Sequence, residues 1–314
     1  MKHLFIINPA AGKGEEARWL DGAIRALAWD WEVVRTQRPG DACRLARAAA
    51  ETEEAVRIYA CGGDGTLNEV VNGAAGFPNA AVTNVPVGTG NDFLRIFGPD
   101  SKALFSDLRT LGEGPQAAFD LIDCNGKLGI GTVCAGVDAR IAADVHKYTS
   151  LPLVRGLGGY VLSLVANVLF KGIARPMAVR MGELDYRGET AIICVCNGRY
   201  YGGGFMPVGE AMPDDGVLDM LVAPKVSRLT FFRLVKRYAS GRYREYPELI
   251  WDHHGQKLTY ASLDGRDVVT VVDGEVMRAP AFTVTLARQQ VNFFYPAGAS
   301  YQPQSRAVQA EAVL

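Results

Sequence analysis

An apolar run, Arg57-Ile58-Tyr59-Ala60, passes directly into Cys61-Gly62-Gly63-Asp64-Gly65-Thr66-Leu67-Asn68-Glu69 and on into a helix-like segment at 67–75. This strand–glycine turn–helix succession constrains the fold more than any other stretch of the chain. Glycines at such a turn let the backbone approach a ligand closely and aim amide N–H groups at it. The helix N-terminus adds a partial positive charge that favours phosphate. A carboxylate beside a phosphate usually reaches it through a divalent cation, so Asp64 reads as the ligand of a Mg²⁺ bridging nucleotide phosphates. The plainer alternative is a tight glycine turn with Asp64 as the helix N-cap.

Two further segments share this character. Leu4-Phe5-Ile6-Ile7 ends in Asn8-Pro9-Ala10-Ala11-Gly12-Lys13-Gly14 ahead of a helical stretch, and an apolar run at 81–87 ends in Gly88-Thr89-Gly90-Asn91-Asp92-Phe93. Strands expected at 4–7, 32–36, 56–61 and 81–87 alternate with helical stretches at 15–27, 41–52, 67–75 and 91–97. That alternation predicts a parallel sheet covered by helices, with ligands at the C-terminal ends of its strands.

The pattern changes near residue 120. Strand-like runs at 118–124 and 128–133 flank Asn125-Gly126, a strong hairpin signal. Runs at 177–181, 190–197, 217–222, 268–272 and 282–287 continue the theme, with helices near 158–170 and 227–240. This half reads as an antiparallel β-sandwich. In the second of these helices Phe231, Leu234, Val235 and Tyr238 fall on one side, and Arg233, Lys236 and Arg237 on the other. That pattern suits a core-facing helix, or else a basic surface for anionic lipid headgroups.

Composition agrees with a cytosolic enzyme. The 314 residues are 48% hydrophobic, enough for a sizeable core, and the net charge of −1 argues against nucleic acid as a partner. No signal peptide is expected, and the longest apolar run, 161–170, is too short to span a membrane. Six scattered cysteines include Cys194-x-Cys196 in an apolar strand. Because strand residues alternate between faces, this spacing is expected to suit neither a zinc knuckle nor a local disulfide. Buried free thiols are expected instead.

The motifs Asn8-Pro9-x-Ala11-Gly12, Gly62-Gly63-Asp64-Gly65-Thr66-Leu67-Asn68-Glu69 and Pro86-x-Gly88-Thr89-Gly90-Asn91-Asp92-Phe93 resemble, in order and spacing, those of the diacylglycerol kinase catalytic family. That family comprises soluble bacterial lipid kinases related to sphingosine and ceramide kinases. The likeness continues through Asn197, Gly202-Gly203-Gly204, Asp215-Gly216 and Asp273-Gly274-Glu275 to about Tyr295. It implies an α/β nucleotide-binding domain over 1–119, a β-sandwich lipid-substrate domain over 120–290, a cleft between them, and a segment 291–314 returning to the first domain. It also implies transfer of the γ-phosphoryl of ATP to a lipid hydroxyl, diacylglycerol by default.

The nucleotide would sit on Gly62, Gly63, Asp64, Gly65, Thr66, Leu67 and Asn68, with Asn8, Pro9, Ala10, Ala11 and Gly12 as a second wall. Thr36 and Thr89 are further contacts implied by the resemblance. Glu275 is the candidate general base, contributed by the second domain, where it need not touch the phosphates. Asp273-Gly274 is equally the preferred dipeptide of a plain hairpin. The resemblance further implies a structural Mg²⁺ held by Asp215 and the carbonyls of Met212 and Val217, although Asp214-Asp215-Gly216 is also an ordinary turn signal. Partners expected are a lipid substrate and a transient contact with the inner membrane face; a homodimer stays open. Alternatives are a kinase for ceramide, sphingosine or monoacylglycerol, an NAD kinase-like enzyme, and a non-catalytic regulator that retains the fold.

Overall fold

The computed structural model describes residues 1–12, 15–52, 54–88, 90–149 and 157–303; Thr89 and the 304–314 tail lie outside the described residues. Elements follow the chain as β1 (Lys2–Ile7), α1 (Glu15–Arg25), β2 (Trp31–Arg35), α2 (Asp41–Ala50), β3 (Val56–Gly62), α3 (Asp64–Ala74), β4 (Ala80–Pro86), α4 (Ser101–Ser106), α5 (Leu108–Gly112), β5 (Gln116–Phe119), β6 (Ile122–Cys124), β7 (Lys127–Gly129), β8 (Thr132–Gly136), α6 (Val137–Thr149), α7 (Leu157–Phe170), β9 (Arg175–Met181) and β10 (Leu184–Cys196). The remainder are β11 (Leu218–Pro224), α8 (Arg228–Tyr238), β12 (Trp251–Gly255), β13 (Lys257–Ser262), β14 (Val268–Val272), β15 (Glu275–Ala279), β16 (Ala281–Leu286) and β17 (Val291–Phe294).

Six strands form the first sheet in the order β2-β1-β3-β4-β17-β5, parallel except for β5. Buried runs such as Phe5-Ile6-Ile7 and Ile58-Tyr59-Ala60 give these strands the continuous apolar character of a sheet covered on both faces. Phe5 stacks on Tyr59 at 4.1 Å, and Phe93, Phe97, Phe119 and Phe293 form a second aromatic group. Insertion of β17 between β4 and β5 ties residues 291–294 to this layer.

The second layer is an antiparallel sandwich-like sheet of eleven strands. The long β10 joins its parts: residues 184–190 pair with β9, then a bulge at Thr190–Ile192 lets the rest pair with β8 and β11. Its interior holds Val133, Met177, Val195, Met220, Tyr260 and Phe282. In α8, Phe231 and Tyr238 are buried, which is the core-facing reading of that helix.

Several local expectations change. The run at 118–124 is two strands in two different sheets, because buried Asp120 turns the chain: its N–H donates to the Pro213 carbonyl and its carboxylate accepts from Gly216 N–H and Gln290. The run at 128–133 is likewise split between β7 and β8, where Ile130 and Gly131 turn their N–H groups onto Asp273. Residues 91–97 hold a short 3-10 turn (Phe93–Phe97), and α3 starts at Asp64, three residues earlier than expected. α6, β12 and β13 were not anticipated. Ser163 and Asn167, the polar interruptions in the apolar α7, bond to the Ile141 carbonyl and Asp144 of α6.

All six cysteines are free and all but Cys43 are buried. Contrary to expectation, Cys194 and Cys196 share one face of β10, as residues two apart on a strand do. Their sulfurs lie 3.6 Å apart, and Cys134, opposite Cys194 in the β8–β10 register, is at 3.7 Å.

Candidate active site

Backbone crowding dictates most of the glycines where the first sheet meets α3. A Cβ at Gly62 would stand 2.3 Å from the Thr66 hydroxyl, and one at Gly88 would stand 3.0 Å from the Gly63 backbone. Gly63 and Gly88 thus let the two loops pack against each other, while Gly62 leaves room for the Thr66 side chain of its own turn. Gly65 is different: it is exposed, and a Cβ there would meet nothing within 4 Å. The helix N-cap is Gly63, with no side-chain cap, so Asp64 is not the N-cap of the plainer reading. Its carboxylate instead accepts from the N–H groups of Asp92 (3.0 Å) and Phe93 (3.3 Å) in the neighbouring loop.

Two cavities flank this turn. The wider one, about 840 Å³, is the more polar of the two, and Asn8, Pro9, Ala10 and Thr36 line it together with Gly63, Gly65 and Thr66. The Asn8 side chain fixes its own loop by accepting from Ala10 N–H and donating to Thr66 at 3.1 Å. Ala11 and Gly12 continue that loop, with Gly12 at φ 74. Glu69 holds the far wall in place, its carboxylate accepting from Gly40 and Ala42 N–H groups. Glu275 lines this same cavity, across from the residues expected to seat the phosphates. Its carboxylate pairs with Lys127 at 2.9 Å.

The second cavity, about 440 Å³, is largely apolar, with Leu67, Phe93, Ile130, Cys134 and Val271 in its walls. Asp64 faces it. Burial first, and then the nearby Asp92 and Asp273 carboxylates, push Asp64 up to about 6 against the two N–H groups it accepts. Asp138, at the start of α6, lines the same cavity and is pushed up to about 7 by burial while the Tyr201 hydroxyl donates to it. Asp92 bridges to the glycine-rich 202–204 loop by accepting from Gly203 N–H at 2.6 Å.

The two sheets are joined beneath α3. Asp273 occupies the left-handed region (φ 44) with Gly274 (φ 89), as a tight hairpin turn requires. Its carboxylate accepts from Ile130, Gly131 and Thr132 N–H groups and from the Asn68 amide. Asn68 and Asn72 also bond to Leu128. Gly62 therefore makes room for Thr66, Leu67 forms part of the apolar cavity wall, and Asn68 serves the junction. Asp273, Asp92 and Lys127 are the polar groups that sequence reasoning passed over. Asp273 hid behind its own turn preference.

Asp215 accepts from Val217 N–H at 3.1 Å. Burial, followed by the charges of Asp219, Asp120 and Asp214, pushes it up to about 6. Among the described residues no group of three His, Cys, Asp or Glu side chains is arranged around a metal position. A cation here would thus rely on backbone carbonyls and water beside one carboxylate. Asp64 and Asp215 both fit that role, as half-buried hard-oxygen donors whose raised affinity for protons a Mg²⁺ would relieve.

Comparison with known proteins agrees with this architecture. Residues 2–124 match the diacylglycerol kinase catalytic domain, and residues 131–295 match the YegS C-terminal NAD kinase beta sandwich-like domain. A "Probable lipid kinase YegS-like" protein of Pseudomonas fluorescens Pf-5 is 33% identical over 237 residues, 73% of this chain and 75% of that protein. One of the same description from Stenotrophomonas maltophilia K279a is 29% identical over 93% of this chain and 96% of its own. A diacylglycerol kinase crystal structure from Bacillus anthracis Sterne shares the fold at a TM-score of 0.67 and 21% identity, over 95% of this chain and 98% of that one. With its motif loops on one sheet edge and both domains matched in sequence, the chain belongs to the YegS-like lipid kinases, which carry the diacylglycerol kinase catalytic domain.

Proposed function

We propose that this lipid kinase transfers the γ-phosphoryl of ATP to the hydroxyl of a lipid alcohol, with diacylglycerol as the first acceptor to test. One observation carries the reading. Adjacent residues of two turns face opposite cavities: Gly63 and Gly65 line the polar one while Asp64 lines the apolar one, and Glu275 lines the polar one while Asp273 and Gly274 line the apolar one. A phosphate held on the first side and a lipid hydroxyl presented from the second would meet at this shared wall. Positioning of that kind, with charge neutralisation, supplies most of the catalysis of phosphoryl transfer.

The chain's own residues have distinct tasks in this scheme. Gly63, Gly65 and Thr66 seat the phosphates, with Asn8 and Thr36 opposite. A Mg²⁺ would neutralise charge developing on the transferred group, and Asp64 is the residue that would hold it. Glu275 takes the proton of the acceptor hydroxyl. Asp215, with the carbonyls of Met212 and Val217, would hold a second, structural ion that orders the sandwich.

Access to a membrane lipid is proposed to be peripheral. Among the described residues no helix is long and apolar enough to cross a bilayer, while Leu169 and Phe170 on α7 and Leu229 on α8 are exposed. Radiolabel transfer from ATP to a panel of diacylglycerol, monoacylglycerol, ceramide and sphingosine in mixed micelles, with NAD as a soluble acceptor, tests the proposal. Label appearing in phosphatidic acid supports it; label in NAD alone, or in no acceptor, overturns it.

A further inference from the structure

Lys127 and Glu275 form a 2.9 Å ion pair inside the polar cavity. Both side chains are partly exposed, so the pair adds little to stability. Its placement is nevertheless fixed from two directions. Lys127 opens β7 directly after the Asn125-Gly126 turn, and its neighbour Leu128 is bonded to Asn72 at both its N–H and its carbonyl. Glu275 opens β15 two residues after Asp273, whose carboxylate grips the Ile130, Gly131 and Thr132 N–H groups. Both hairpins are thereby anchored against α3, whose first turn presents Gly63, Gly65 and Thr66 to the cavity.

The other charged groups around the cavity are differently engaged. Glu69 is taken up by the Gly40 and Ala42 N–H groups, and Arg38, 82% exposed, lies toward Asp41 at 3.8 Å. Among the described residues Lys127 is the more sheltered of the two cations lining the cavity, at 27% exposure. It stands beside the residue proposed to accept a proton.

We infer that Lys127 binds the terminal phosphate of the nucleotide and that Glu275 holds it in reserve until then. With the cavity empty, the ammonium pairs with Glu275. With a nucleoside triphosphate in place it moves to the terminal phosphate, which offers more charge and more acceptor oxygens than one carboxylate. That move releases the Glu275 carboxylate. In the transfer step the acceptor oxygen bonds to phosphorus as the bond to the nucleoside diphosphate oxygen breaks. The hydroxyl proton passes to Glu275, and Lys127 stays protonated throughout. Nucleotide occupancy and readiness of the base are linked through one side chain.

This rests on the kinase reading above, and the test separates the two. ATP and ADP affinities are measured by calorimetry without lipid for the wild type, Lys127→Met, Lys127→Arg, Glu275→Gln and the Lys127→Met/Glu275→Gln double variant. Lys127→Met should weaken ATP about tenfold, the scale of one charge-assisted hydrogen bond, and ADP much less; Lys127→Arg should keep most of the ATP affinity. Glu275→Gln should bind ATP a few times more tightly, because the competing carboxylate is gone, and the double variant should lose that gain. Equal losses for ATP and ADP, unchanged ATP binding in Lys127→Met, or no tightening in Glu275→Gln each overturn the role of Lys127 while leaving the kinase reading intact. A wild type that binds neither nucleotide overturns both.

Discussion

Asp273 and Asn68, 205 residues apart in sequence, share a 2.9 Å hydrogen bond that joins the hairpin carrying Glu275 to the helix carrying Asp64. Burial pushes the Asp273 carboxyl up, and four N–H donors from Ile130, Gly131, Thr132 and Asn68 oppose that. Such a fully engaged carboxylate sets the spacing between the two halves of the site, since its partners lie in both.

Asp273→Ala would leave three backbone N–H groups at the junction without their acceptor. Each buried donor left unpaired costs about 1–3 kcal/mol, so the variant should be severely destabilised, and Asn68→Ala less so because the three backbone N–H groups keep their acceptor and only the Asn68 side-chain bonds to Asp273, Leu128 and Asn72 are lost. Urea unfolding of both variants checks the order. A milder loss in Asp273→Ala than in Asn68→Ala would show that the carboxylate is not what holds the junction.

The glycines divide by what surrounds them. Gly88→Ala places a Cβ 3.0 Å from the Gly63 backbone, whereas Gly65→Ala meets nothing within 4 Å. Gly88→Ala should therefore lower the melting temperature. Gly65→Ala should melt like the wild type but bind ATP more weakly, because its methyl enters the polar cavity. ATP titration beside thermal melts separates the two effects, and full ATP affinity in Gly65→Ala would remove that residue from the phosphate site.

The parallel layer and the glycine-rich edge were legible because period, turn chemistry and loop order all pointed the same way. What escaped was set by contacts distant in sequence. Nothing near Asp120 announces that its N–H and carboxylate will bind the 213–216 turn and split a strand-like run between two sheets. Asp273 was read as a hairpin residue and is one, yet its side chain also organises residues 130–132, which local pattern cannot reveal. The glycines of the first motif read as ligand approach; Gly62 and Gly63 also answer to Thr66 and Gly90, which local pattern does not show. The opposed facing of Asp64 and Gly65 follows from helix geometry, but only once the helix is known to begin at Asp64.

Burial raises Asp64 and Asp215 from 3.8 to about 6. A carboxyl bound more tightly to its proton in the folded state stabilises the fold below its ordinary value, and that contribution is lost as pH rises through about 6. Without divalent cation, stability should thus decline from about pH 4 to pH 7 on account of these groups. Mg²⁺ binds the ionised forms, so it should raise the melting temperature more at about pH 7.5 than at about pH 5. A Mg²⁺ effect that does not change with pH would remove both carboxylates from cation binding.

Single substitutions distinguish the two proposed ions. Asp215→Ala should blunt the Mg²⁺-dependent rise in melting temperature. Asp64→Ala should fold and yet lose transfer activity, because the interaction it removes matters most in the transition state. A folded Asp64→Ala enzyme with near wild-type turnover would end its assignment as the ligand of the catalytic ion.

Glu275 lies beside the wall shared by the two cavities, where the proposed transfer calls for a base, but it is also the first residue of a hairpin strand. Glu275→Gln keeps its size and its capacity to accept hydrogen bonds, and removes its ability to take the acceptor's proton. General-base assistance is typically worth about 10²- to 10⁴-fold, and kcat should fall by that order. A plain surface glutamate predicts almost no change on the same substitution. Loss of the ion pair with Lys127 does not confuse the reading, because that pair is too exposed to contribute appreciably to stability. The deciding measurement is kcat for Glu275→Gln at saturating ATP and lipid, where differences in affinity no longer enter. A kcat equal to that of the wild type would leave the proton without an acceptor on this side of the wall and would move the search to the apolar cavity, lined by Asp64, Asp92, Asp138 and Asp273.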